Sequence, residues 1–520
     1  MRTPRSQPAP TALAIAASAV AMLALPTEFA AAQATEQQSL KPSIASWSQY
    51  FGASVAVSDD YLVVGATLRA SPVPLVVPGG ADVFRRDPLT GAWQTDASLL
   101  GASCVDGASF GAAVAVDGDV VVIGASTQPS SVSGRAGVAY VFRRDAVTGA
   151  WIEEQELEGS VSGLDGAFGA SVGIEGDAIV VGMPGYANST GAAVVFRYQP
   201  ASSSWVEEAV LIDPNGSGGD RAGSDVAIDG STIAVGSPMQ GSQPNPSGTV
   251  GVWTVSGVSW TQSQELTPSA ATTTPLRFGA SLALRGNQLI VGTPRESNAT
   301  TQFIGAAYLF ERSGTTFSQT HHFEPPATSY NLNFGFDVAV NGNTAVIGQP
   351  FDWVNPAISG SAWTFRRRNS NKPWVADQML LHSGGGPDDQ LGATVAMSDH
   401  DIVLGARYAE KYGRDEGLVA VYDLDELSLS IAPRYPAPGA TIDLEAHRGN
   451  PGDLILIAVE ELSGTQLFIP LLTDVFQANY AYAIQDSAPN PALGFTVGVR
   501  AYKISATGKL VSSSLEYVDL

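Results

Sequence analysis

The stretch FGAAVAVDGDVVVIG, running from Phe110 to Gly124, decides how most of the chain folds. Ala113 to Val116 is a short apolar strand, and Asp117-Gly118-Asp119 has hairpin-turn chemistry. Val120 to Ile123 is a second strand without polar alternation, which suits burial on both faces. Downstream, Val138 to Arg143 alternates around Tyr140 and Phe142 as a third strand. A turn through Asp145 and Gly149 leads into a fourth, Trp151 to Leu157, whose Glu153, Glu154 and Glu156 suit an exposed edge. The unit is therefore four antiparallel strands with a dry inside and a wet outside.

That unit recurs. The pairs Phe51-Gly52, Phe110-Gly111, Phe168-Gly169, Ala222-Gly223, Phe278-Gly279, Phe334-Gly335 and Leu391-Gly392 begin seven copies at nearly even spacing. In each copy another glycine follows the first at one fixed offset: Gly65, Gly124, Gly182, Gly236, Gly292, Gly348 and Gly405. After a loop of variable length comes a third glycine with an aromatic five positions on, as in Gly79 to Phe84 or Gly248 to Trp253. Seven registered copies of a four-stranded unit predict an all-β fold, a seven-bladed β-propeller.

The seventh copy stops near Leu427 and supplies only three strands. The segment Glu36-Gln-Gln-Ser-Leu40 ends as far before Phe51 as Glu153 to Leu157 ends before Phe168. Residues 34–40 are thus expected to be the missing outer strand, closing a propeller of residues 33–427. Residues 428–520 lack the repeat. After a linker with Pro433, Pro436 and Pro438, strands are expected at Thr441 to Ala446, Leu454 to Leu462 and Phe495 to Ile504, forming a small Ig-like β-sandwich.

Arg2 and Arg5 precede an apolar run from Ala12 to Leu25, and Ala30-Ala31-Ala32 offers small residues for cleavage. Residues 1–32 read as a cleaved export signal, its apolar run too short for a membrane span, and the product as secreted or cell-surface with no transmembrane anchor. The formal charge of −23 disfavours nucleic acid as a partner. Cys104 is the only cysteine, so no intrachain disulfide can form, and it reads as a small buried apolar residue. Stability has to come from packing and closure of the ring, and a monomer is expected.

The Phe-Gly starts, together with Gly65-Ala66, Gly182-Met183-Pro184, Gly236-Ser237-Pro238 and Gly292-Thr293-Pro294, resemble the FG-GAP repeat of integrin α-chain propellers and of secreted bacterial proteins. The resemblance spans all seven copies and implies a propeller used for extracellular binding. Calcium-binding members carry an acidic loop between the first two strands. Here that loop is a tight turn, such as Asp117-Gly118-Asp119 or Arg285-Gly286-Asn287, with too few carboxylates for a calcium cage. The chain resembles the short, calcium-free variety, and no metal, cofactor or catalytic residue is assigned. The integrin inserted domain has no counterpart.

Two strings, Gly107 to Gly111 and Gly169 to Gly173, match the G-x-S-x-G pattern but lack its strand–turn–helix context. The neighbours His321 and His322 lie in an outer strand, facing opposite ways. Arginines at the ends of third strands, Arg85-Arg86, Arg143-Arg144 and Arg366 to Arg368, read as solvated strand ends. In a four-stranded blade the 1–2 and 3–4 turns share one face of the disc, and the longer 2–3 and 4–1 loops share the other. The candidate binding patch is on the long-loop face of units six and seven: Phe351, Asp352, Trp353, Arg407, Tyr408, Lys411, Tyr412, Arg414 and Asp415. The leading expectation is an exported binding or adhesion protein for an extracellular protein or carbohydrate. The alternatives are a polysaccharide-active hydrolase or lyase, with Asp352 and Asp415 as a carboxylate pair, and an architectural surface protein.

Overall fold

The computed structural model describes residues 36–424 except 45–48, 70–76, 130–135, 162–165, 242–245, 258, 270–275, 298–302, 327–331, 352–359, 368–369, 371, 383, 387 and 410–415. Of residues 32–33 and 428–519 it describes only the strand backbones, so the export signal expected over residues 1–32 falls almost wholly outside.

Seven antiparallel sheets, one per repeat, make a seven-bladed β-propeller. Blade one is Phe51–Val57, Tyr61–Ala66, Gly80–Arg86 and Trp93–Leu99; blade two is Phe110–Asp117, Val120–Pro129, Ala136–Arg144 and Trp151–Leu157. Blade seven combines Thr394–Met397, Asp401–Ala406 and Leu418–Asp423 with the N-terminal strand Gln38–Leu40, in which Leu40 faces Val419. Ala32–Gln33 runs parallel to the outer strand of blade six, opposite Gln378 and Met379. Among the described residues no helix is long and apolar enough to cross a membrane.

The core lies between blades rather than inside them. Six of the seven second strands are buried along their length, and that of blade two from Val120 to Ala125, because alternate side chains serve two different neighbours. From blade one, Leu62, Val64 and Ala66 pack with Val403, Val419 and Val421 of blade seven. Tyr61 and Val63 turn the other way, onto Phe110, Val121, Ile123 and Tyr140 of blade two. This explains the unbroken apolar runs in the sequence. It also makes the closing interface a core like the others.

The three glycines of each repeat converge on one contact. The glycine of each Phe-Gly pair has φ between 80° and 87°. In six copies the amide two residues beyond the Phe donates to the carbonyl of the residue before it, at 3.0–3.1 Å. Such a turn needs glycine at its third position, whereas the second accepts Phe, Ala222 or Leu391. That turn lies against the preceding blade. A Cβ on the glycine of any second strand, Gly65 to Gly405, would stand 2.0–2.3 Å from the carbonyl oxygen of the next blade's Phe-Gly glycine. A Cβ on the third glycine would stand 2.0–2.4 Å from the carbonyl oxygen just before it. Gly405 and Gly417 of blade seven meet Gly52 and Phe51 in this way, so the ring closes through the contact used at every other junction.

A buried ion pair fastens the closing segment. Arg69 donates to both oxygens of Asp82, at 2.7 and 2.6 Å, and to Gln49 Oε1 at 3.2 Å. Asp82 also accepts from the Ser43 amide at 2.9 Å and hydroxyl at 2.7 Å, just after the closing strand. Three arginines from the strand-three ends correct the reading of those ends as merely solvated. Arg86 pairs with Asp401 of blade seven at 3.0 Å, Arg367 with Glu311 of blade five at 2.7 Å, and Arg143 with Glu154 at 2.8 Å. Only 7% of the Arg367 side chain is exposed. Arg86 and Arg367 thus reach a carboxylate of a neighbouring blade, and Arg143 one of its own blade.

Beyond the propeller, the backbone forms two further sheets. One holds Ser428–Ala432, Thr441–His447 and Tyr482–Ser487; the other holds Leu454–Leu462, Thr465–Val475, Thr496–Ile504, Leu510–Ser512 and Glu516–Asp519.

Two substitutions separate close approach from turn geometry. Gly124→Ala drives a methyl into the Gly169 carbonyl, 2.0 Å away, and is expected to cost about 3 kcal/mol or more in chemical denaturation. Gly118→Ala, with φ 51° and open space around it, is expected to cost only about 1 kcal/mol. Asp82→Ala strands a buried guanidinium and is expected to cost about 3 kcal/mol, with the Asp82→Ala/Arg69→Met pair recovering at least half.

Candidate functional site

The first strands of the seven blades surround an axial channel of about 740 Å³. The residue three beyond the Phe position lines its wall: Ser54, Ala113, Ser171, Asp225, Ser281, Asp337 and Thr394. Four of these hydroxyls donate to the Phe-Gly carbonyl of the next blade: Ser54 to Gly111 at 2.9 Å, Ser171 to Gly223 at 3.0 Å, Ser281 to Gly335 at 3.4 Å and Thr394 to Gly52 at 3.0 Å. The two carboxylates reverse the direction. Asp225 accepts from the Leu282 amide and Asp337 from the Val395 amide, both at 2.7 Å and both in the next blade. This ring of inter-blade bonds was not recognised in the sequence, although a small polar residue recurs at that offset in six of seven copies. It also absorbs Ser171 of the second G-x-S-x-G string as a structural group.

Burial pushes the Asp225 carboxyl up to about 8, helped by the nearby Asp337 charge. Burial likewise pushes Asp337 up to about 7, against the amides that bond it. Desolvation outweighs two amide hydrogen bonds at each carboxyl.

One mouth of the channel is formed by the tight 1–2 turns. There Asp117 accepts from the Gly176 amide at 2.6 Å, Glu175 from the Gly230 amide, and Asp229 from the Gly286 amide at 2.7 Å. Burial raises the Glu175 carboxyl, and Asp229 and Asp117 add to the effect. These acids link neighbouring turns. Among the described residues no group of three or more His, Cys, Asp or Glu side chains could hold one metal ion.

The other mouth is built differently. The residue before each Phe-Gly pair is Tyr50, Ser109, Ala167, Arg221, Arg277, Asn333 or Gln390, and every one has φ between 50° and 62°. A non-glycine residue in that region is uncommon, and here the fold imposes it seven times. None is buried, and their side chains range from methyl to guanidinium. The repeat thus holds a constant backbone while varying the group displayed. Searching for fixed residues misses this ring, because its signal is a variable position beside a recurring pair.

The structure brings part of the expected patch to this rim. The Arg407 guanidinium lies over the Tyr408 ring at 5.0 Å and donates to Gln390 Oε1 at 3.1 and 3.3 Å. Tyr408 meets Tyr50 edge-on, with ring centres 5.0 Å apart. These residues are therefore tied to the rim positions of blades one and seven. Phe351 packs on Phe336, ring centres 6.1 Å apart. Asp352, Trp353, Lys411, Tyr412, Arg414 and Asp415 lie outside the described residues. Of the other groups singled out, His322 stacks on Tyr308 with centres 4.4 Å apart and His321 packs on Phe323. Cys104 is half-buried, and burial raises its thiol to about 11.

The family model described as "FG-GAP repeat" matches residues 34–73, 93–142, 205–252 and 260–310. No curated protein matches the chain in sequence. Among solved structures the chain is similar to Sqt1 of Saccharomyces cerevisiae, at 8% identity over 75% of this chain and 99% of that one, with a TM-score of 0.43. It is similar to the periplasmic gluconolactonase PpgL of Pseudomonas aeruginosa at 15% identity, over 64% of this chain and 85% of that one, with a TM-score of 0.43. The Pan2 WD40 domain of Neurospora crassa is 12% identical over 71% of this chain and 88% of that one, with a TM-score of 0.40.

The channel carboxyls predict a pH dependence. Between the unfolded value of 3.8 and folded values of about 8 and 7, the folded state binds more protons than the unfolded one. Stability is therefore fully present at low pH and falls as pH rises through that window. Asp225→Asn and Asp337→Asn are each expected to flatten the slope of melting temperature against pH there. An unchanged slope in both variants would contradict the shifts.

Proposed function

We propose that this seven-bladed propeller of FG-GAP repeats is an exported binding protein, which meets an extracellular protein or carbohydrate through its long-loop face. The observation that carries this reading is the rim. Seven copies of one strained backbone present six kinds of side chain around the channel mouth, and strain kept where chemistry varies is characteristic of recognition surfaces. The opposite mouth supports the same choice, because three of its acids, Asp117, Glu175 and Asp229, are occupied with neighbouring turns. The Arg407–Tyr408–Tyr50 cluster supplies rigid aromatic surface with a cation beside it, a composition enriched at binding hot spots. Export rests on the N-terminal segment read above, and the two C-terminal sheets, arranged as a β-sandwich, serve as an accessory or attachment module.

A glycan-array and surface pull-down screen with the mature chain tests the reading. The Tyr50→Ala/Tyr408→Ala variant, and Trp353→Ala and Tyr412→Ala in the adjoining loops, are expected to weaken capture about tenfold or more. Capture unaffected by all of these, but lost on changing Asp59 and Asp119 of the short-turn face, would move the site to the wrong side of the disc.

A further inference from the structure

The copies of the repeat agree closely around the long-loop mouth of the channel, and two neighbouring blades depart from the rest. The last residue of each rim turn, two places beyond the Phe position, lines the channel as Ala53, Ala112, Ala170, Ser224, Ala280 or Ala393. Blade six puts Phe336 there, half-buried, with the Phe351 ring packed on it at 6.1 Å between centres. Two places beyond the second-strand glycine, the other copies carry Thr67, Ser126 or a proline such as Pro184 or Pro350. Blade seven puts Arg407 there, and it lines the same channel. Six copies fold with a small residue or a proline at each of these places, so the fold itself requires neither the ring nor the guanidinium.

Arg407 is held in place without being neutralised. Its Nε and Nη2 donate to Gln390 Oε1 at 3.3 and 3.1 Å, and the guanidinium lies over the Tyr408 ring at 5.0 Å. Among the described residues no carboxylate pairs with it, whereas Arg69, Arg86, Arg143, Arg197 and Arg367 each have one. Nη1 and the second N–H of Nη2 have no bonded partner there, which leaves the end of the fork open. The apolar wall beside it is one residue deep. Below Phe336 and the alanine methyls the channel turns polar, with Ser54, Ser171, Asp225, Ser281, Asp337 and Thr394.

We propose that the long-loop mouth takes the free C-terminus of an extended peptide, with the carboxylate on Arg407 and an apolar last side chain against Phe336. This rests on the reading of the long-loop face as the binding face. A guanidinium fork matches a carboxylate in a bidentate manner, and capture of a C-terminal carboxylate is a recurring mode of peptide recognition. An axial opening admits a chain end and excludes the flat of a folded surface. The wall then selects among carboxylates. A sugar acid carries hydroxyls on several sides, and five alanine methyls with a phenyl ring offer them no partner. A long fatty chain needs an apolar depth that the polar layer below does not supply. One apolar side chain beside one carboxylate fits both the depth and the charge.

The test is calorimetric titration of the full mature chain with the peptide Gly-Ser-Gly-Ala-Leu, its C-terminal amide, the same peptide ending in Gly, and a galacturonate trimer. Two variants restore what other blades already carry, Arg407→Ser as at Ser126 and Phe336→Ala as at Ala53, so both are expected to melt as the parent does. The free acid is expected to bind about tenfold or more tighter than the amide, and Arg407→Ser to lose that margin. Exchanging the terminal Leu for Gly is expected to weaken binding about fivefold or more in the parent and to change little in Phe336→Ala. Equal binding of acid and amide, no binding of the acid at about 1 mM, silent variants, tighter binding of the galacturonate, or a lowered melting temperature in both variants would each overturn the subsite. If Tyr50→Ala/Tyr408→Ala still abolishes capture of a larger ligand, the binding face stands and only the subsite falls.

Discussion

The structure depends on one backbone-to-backbone contact, the seating of each Phe-Gly turn against two glycines of the preceding blade. A carbonyl oxygen occupies the space where a Cβ would project, so the contact tolerates no side chain at either glycine. It sets the distance between blades and leaves the inter-blade core to fill the remaining gap with Val, Ile, Leu and aromatic side chains. Because blade seven meets blade one through the same atoms, the ring has no special seam in its inner layer. The seam lies outside, where Gln38–Leu40 completes the last sheet and the Arg69–Asp82 pair fastens the chain that follows.

Around this contact the blade divides its labour by radius and by face. Next to the axis, hydroxyls and carboxylates bond the neighbouring backbone, which holds the first strands where they have few apolar partners. Farther out, the Gln155 side chain donates to the Trp205 carbonyl and accepts from its amide, and Gln264 does the same to Phe317. On the short-turn face Asp117, Glu175 and Asp229 are spent on adjacent turns. On the long-loop face the same rigid frame presents a side chain from each blade, none of them buried. A scaffold so tightly specified elsewhere can vary there at little cost in stability.

Much of this was legible in the chain. The spacing of Phe110, Gly124 and Gly137 carried the blade, and the continuous run Val120 to Ile123 carried its burial on both faces. The candidate site was legible only in part. Arg407 and Tyr408 were marked as exposed recognition groups, yet in the structure they are joined to Gln390 and Tyr50, residues outside the loops that drew notice to them. Arg221 and Arg277 drew no notice, because one lies before Ala222 and the other before Phe278, a full repeat apart. The packing of consecutive blades makes them neighbours.

By itself the sequence determined the number of blades and the middle of each strand in the unit from Phe110 to Leu157, because glycine spacing and apolar period are local properties of the chain; the strands themselves run longer, as Phe110–Asp117 and Val120–Pro129 do. It also determined which positions admit no side chain, since a steric prohibition leaves the same mark in every copy. Tertiary structure alone decided what surrounds the axis. Placing Asp225 of blade four within the field of Asp337 of blade six depends on the angle each blade turns about the axis. Charge interactions act through space and are indifferent to chain order, so no spacing along the sequence could announce them.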